Sequence, residues 1–82
     1  MTENKEYKAY LTWLKAAYLY YINYGEDSGM SDAEWDHLSR EFYANREQFS
    51  PEEYPVLHRS EFIGGSLFWL KKNEYPKEIF SL

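Results

Sequence analysis

The sequence predicts a small all-α protein in which a long N-terminal helix forms a hairpin with a second helix, followed by short C-terminal helices. Three observations carry this. Aromatic and aliphatic residues repeat at helical spacing over residues 3–24. A complete helix-start signal surrounds Ser31, and the same device recurs at Ser50. With 82 residues there is material for one domain, spanning 1–82, and no room for a second core.

In the first helix Tyr7, Tyr10, Leu11, Leu14, Tyr18, Tyr21 and Ile22 form a core stripe. Trp13, Ala17, Tyr20 and Tyr24 lie in a row to one side of it, so the helix is apolar over more than half its circumference. Gly25 is placed as a C-cap, before a polar turn through Glu26-Asp27-Ser28-Gly29.

The second helix opens with Ser31 as N-cap and Glu34 at N3, a capping box, while Met30 and Trp35 are spaced as a hydrophobic staple. Asp32 in the first turn complements the positive end of the helix dipole. Trp35, Leu38 and Phe42 mark the buried side, and the helix is expected to run to about Asn45 or Glu47. At Ser50-Pro51-Glu52-Glu53 the cap, the N1 proline and the N3 glutamate recur, with Phe49 and Tyr54 as staple. Pro55 limits that helix to a turn or a little more, because its ring clashes with the carbonyl four residues back. Residues 66–73 read as a helix with Leu67, Phe68 and Leu70 facing in; a hairpin across Gly64-Gly65 is the competing reading.

Nine Tyr, five Phe and three Trp compensate for the chain's shortness, since each large ring buries about 150–250 Å². The net charge of −5, with no basic stripe, disfavours direct nucleic-acid binding. Without cysteine there is neither a disulfide nor a thiolate metal site. No apolar segment follows Met1-Thr2-Glu3-Asn4-Lys5 and no uncharged run approaches the roughly 20 residues of a membrane span, so a cytoplasmic location is expected. His37 and His58 have neither a nucleophile pattern nor zinc spacing beside them and read as partly exposed structural histidines.

Two groups invite chemistry. Glu26, Asp27, Asp32, Glu34 and Asp36 fall in a segment free of Lys and Arg, with Asp32 and Asp36 on one helical face. They suit capping and solubility, or contact with a polar ligand; the EF-hand ligand pattern is missing, so no metal is expected. Tyr20 and Tyr21 are about 100° apart on a helix, so one, Tyr21, joins the stripe while Tyr20 borders the loop.

The stretch Ala17-Tyr18-Leu19-Tyr20-Tyr21-Ile22, followed by Met30-Ser31-Asp32-Ala33-Glu34-Trp35-Asp36-His37-Leu38, resembles the N-terminal Ia domain of NAD-dependent DNA ligases. That family typically shows an aromatic pair, a short acidic loop and a Ser/Pro-Asp-x-x-Tyr-Asp-x-Leu helix start; the likeness covers about residues 14–45, and residues 50–82 do not share it. The resemblance implies a module that recognises the nicotinamide mononucleotide half of NAD. Tyr20 and Tyr21 would contact nicotinamide, and Asp32, Trp35 and Asp36 would surround the ring and ribose. Trp35 stands where the family has Tyr, and the loop is about two residues longer than is common in the family. The family's Lys-x-Asp-Gly nucleophile is missing, so what the resemblance implies is weak binding of NMN or NAD without catalysis, alone or in trans with a partner protein. The other expectation is a protein-interaction module or phage-type regulator that uses the hairpin as a scaffold, with Trp13, Tyr24, Trp69 and Tyr75 as surface anchors.

Overall fold

A computed structural model describes residues 5–23 and 29–82. The all-α expectation holds: helices α1 (Lys5–Tyr21) and α2 (Asp32–Ala44) are followed by short 3₁₀ turns, with no strand among the described residues. The chain forms two compact units. One joins α1 to Leu70–Leu82, and the other is Asp32–Trp69.

In the first unit, α1 buries Tyr10, Leu11, Trp13, Leu14, Ala16 and Ala17. Trp13 and Ala17 are buried, so the first half of the row placed beside the stripe is core as well, whereas Tyr20 further along it is exposed. The reason lies in the helix itself: an aromatic surface this broad has to be covered on more than one side. The turn Lys77–Ser81 packs on α1. Tyr18 meets Tyr75 edge-on at 5.3 Å and Phe80 at 5.1 Å, and Leu70, Tyr75 and Ile79 are buried. The helix ends three residues earlier than its pattern suggests. The Tyr18 carbonyl accepts from the amides of both Ile22 and Asn23, at 2.9 and 3.0 Å, which closes the last turn. The expected cap at Gly25, the turn from Glu26 to Ser28 and Tyr24 lie outside the described residues.

In the second unit, α2 buries Phe42 and Ser39, with Trp35 and Leu38 half-buried. Its C-terminus is closed by side chains. Asn45 Nδ2 donates to the Glu41 carbonyl at 2.9 Å, and an Arg46 guanidinium nitrogen donates to the Tyr43 carbonyl at 2.7 Å while lying over the Tyr43 ring. A cation at that end also opposes the negative pole of the helix. At Ser50 the staple and a single hydrogen-bonded turn form, but not a helix, and the hydroxyl of Ser50 takes the amide of Glu52 in place of the expected box with Glu53. Tyr54 N–H returns to the Ser50 carbonyl at 2.8 Å, Ser50 Oγ accepts from Glu52 N–H, and the Phe49 and Tyr54 rings meet at 4.8 Å. Pro55 then starts a separate 3₁₀ turn, Pro55–His58, that buries Val56 and Leu57. His58 is exposed and plays a structural part, its Nε2 lying 2.7 Å from the Phe49 carbonyl.

The segment read as a helix over 66–73 is irregular, with only Lys72–Glu74 as a 3₁₀ turn. Leu67 and Leu70 are buried, but Phe68 is 74% exposed. Without a helix the 3.6-residue period no longer fixes which side chain faces in, and Phe68 turns out between a buried Leu67 and a half-buried Trp69. The hairpin across Gly64-Gly65 does not form either. Both glycines have positive φ, +69° and +90°, and at Gly65 the backbone comes so close to α2 that an added Cβ would lie 3.0 Å from the Ser39 Cβ and carbonyl oxygen. After this loop Trp69 is braced from two sides. Its Nε1 donates to the Ser66 carbonyl at 2.7 Å, and the Arg59 guanidinium sits 5.0 Å over its ring while forking onto Glu61 at 3.1 Å. The hydrogen bond from Arg59 also holds the Glu61 carboxyl below the usual range.

Candidate functional site

The last turn of α1 presents Tyr20 and Tyr21 as adjacent residues that leave the helix in different directions. Tyr20 is 61% exposed and Tyr21 is half-buried, as their positions beside and on the stripe require. Their rings meet nearly at right angles, with centroids 5.0 Å apart. The edge of one ring therefore braces the other while leaving a face of Tyr20 open to solvent. Burial, then the neighbouring Tyr20, push the Tyr21 phenol above its ordinary value, so it is a neutral hydroxyl at any pH near neutrality.

On α2, Asp32 and Asp36 lie one turn apart in the first half of the helix, and both are exposed. Asp36 Oδ2 accepts from Arg40 Nε at 3.1 Å, an exposed pair that leaves the other carboxylate oxygen available. Pairs of this kind contribute little, so Arg40→Ala is expected to change unfolding stability by no more than about 0.5 kcal/mol in a urea melt. Trp35, between the two aspartates in sequence, is half-buried. The structure thus brings Tyr20 to Tyr21 and sets Asp32 and Asp36 on one face. The tyrosines belong to the first unit and Asp32, Trp35 and Asp36 to the second. No group of three His, Cys, Asp or Glu side chains able to hold a metal ion occurs among the described residues.

The expected surface anchors need correction. Trp13 is fully buried and Tyr75 is 5% exposed, so both are core residues; Trp69 is half-buried and braced, and Tyr24 lies outside the described residues. A tyrosine suggests a wet hydroxyl, but the Tyr75 hydroxyl is buried with its ring. Among the described residues, the large apolar side chains that reach solvent are Tyr20, Ile63, Phe68, Phe80 and Leu82. Of these, the sequence pointed only to Tyr20. A glycine pair flanked by large apolar residues was the available signal for Ile63. No described helix is long and apolar enough to cross a membrane. No protein family, curated protein or solved structure matches the chain.

Proposed function

We propose that this protein is a non-catalytic recognition module for a nicotinamide nucleotide, NMN or NAD, acting alone or in trans with a partner protein. The observation that carries the reading is the Tyr20 ring, 61% exposed at the end of α1 and braced edge-on by Tyr21. An exposed aromatic face attracts a pyridinium ring through its quadrupole. On α2, carboxylates such as Asp32 and Asp36 are groups that accept hydrogen bonds from ribose hydroxyls, and the resemblance assigns Trp35 to the ring. The likeness to the ligase Ia domain supports the same assignment at the same five positions. Half of a clamp leaves the nucleotide largely solvated, so affinity for the isolated protein is expected at about 0.1–1 mM.

The test is a chemical-shift titration with NMN and NAD to several millimolar. Saturable shifts are expected at Tyr20, Tyr21, Trp35 and Asp36, and Asp36→Ala should abolish them while leaving the remaining spectrum folded. Absence of a response at these residues would sink the nucleotide reading. A second reading, a protein-interaction module, is favoured by one different observation: Ile63 and Phe68 are 69% and 74% exposed on either side of the glycine pair. Large apolar residues displayed on a loop are a cost in a monomer and an asset at an interface.

A further inference from the structure

Within the first unit, α1 and residues 72–80 of the C-terminal segment line an open cleft of about 460 Å³. Its lining is Tyr18 from α1 with Lys72, Asn73, Tyr75, Lys77 and Phe80. We infer that this cleft binds a small planar aromatic anion, its ring against the Tyr18, Tyr75 and Phe80 walls and its anionic group at Lys72 and Lys77. None of these residues belongs to the proposed nucleotide site, so the two assignments stand or fall separately.

Three independent features point to that ligand. The first is shape. Tyr18 meets both Tyr75 and Phe80 edge-on, at 79° and 88°, so aromatic surfaces at right angles flank the space, and a flat ring can stack on one while meeting the edge of another. The volume lies in the range of small-molecule sites. The second is charge. In a chain of net charge −5, the described residues that line this cleft include two lysines and no carboxylate, and neither lysine enters an ion pair among the described residues. Glu74, in the same 3₁₀ turn as Lys72, directs its Oε1 instead to the Lys71 amide at 2.9 Å. The third is a polar group without a partner. The Tyr75 hydroxyl is buried and makes no hydrogen bond, although its ring lines the cleft. A buried unpartnered hydroxyl is rare in folded proteins and calls for a functional account. Burial, with Tyr21 and Tyr18 nearby, raises the Tyr75 phenol far above the usual tyrosine range, so it stays a neutral donor. The hydroxyl has no open surface, so an anion's oxygen, the acceptor that it lacks, reaches it only as the ligand parts the side chains that cover it.

Benzoate and indole-3-acetate serve as probes, each beside its neutral amide, in chemical-shift titrations of the full chain. The acids are expected to bind at about 1–5 mM, the range for ligands of this size. They should shift Tyr18, Tyr75 and Phe80, and bind at least about fivefold tighter than the amides. The paired substitution Lys72→Gln with Lys77→Gln should erase that preference without lowering the melting temperature. Tyr75→Phe should weaken acid binding severalfold while the melting temperature holds or rises, because the substitution removes a buried hydroxyl that bonds to nothing. Equal binding of acid and amide, unchanged affinity in both variants, or no shift at these three rings up to 20 mM would each overturn the assignment.

Discussion

Gly65→Ala is expected to destabilise the protein by about 3 kcal/mol, while Gly64→Ala beside it costs about 1 kcal/mol. Both glycines have positive φ, so both substitutions carry the conformational penalty of an L side chain there. The difference comes from space. Nothing lies within 4 Å of a Cβ at Gly64, whereas at Gly65 it would press on the Cβ, carbonyl oxygen and carbonyl carbon of Ser39 at 3.0–3.1 Å. Two of those three atoms are α2 backbone and cannot step aside as a side chain would. Ser39→Gly should therefore fail to rescue Gly65→Ala. A domain of 82 residues has a total stability of about 4–12 kcal/mol, so the loss at Gly65 is a large fraction of it. Urea melts followed by far-ultraviolet circular dichroism measure both variants. Equal losses at the two glycines would mean that the close approach to α2 is not what constrains Gly65.

Trp13→Ala should be at least as damaging, at about 3–5 kcal/mol. Trp13 is fully buried and has the Tyr10 ring at 6.3 Å. Truncation removes the area of a large ring and leaves a space that the neighbouring side chains fill only in part. With a slope of about 1–3 kcal/mol per molar urea, the midpoint should fall by about 2 M. Trp13→Phe, which keeps most of the ring volume, should lose less than half as much. If Trp13→Ala unfolded near the wild-type midpoint, Trp13 would belong to a surface, as an interaction anchor requires, and not to the core.

What the sequence made legible was whatever depends on near neighbours. The stripe from Tyr10 through Leu14, the acidic start of α2 and the Ser50 turn with its Phe49–Tyr54 staple all rest on spacings of five residues or fewer. The last third was not legible, because its course is set by Pro55, the glycine pair and Pro76 and not by a hydrophobic period. Phe68 shows the cost: assigned to a helix that does not form, it was assigned the wrong side. The candidate nucleotide residues were named by the resemblance to the ligase Ia domain, and the pair geometry of Tyr20 and Tyr21 followed from helix pitch. The cleft could not, since Tyr18 and the lysines that line it come from distant parts of the chain and no local pattern joins them.

The placement of the tryptophans has an optical consequence. Trp13 is sealed in the unit built on α1, whereas Trp35 and Trp69 are half-buried in the unit built on α2. Acrylamide should quench emission from the second pair while hardly reaching Trp13. Replacing either set with phenylalanine would then leave a fluorophore that reports on one unit alone. The chain thus carries its own dyes for asking whether its two units melt as one or in succession, a distinction that a single averaged signal erases.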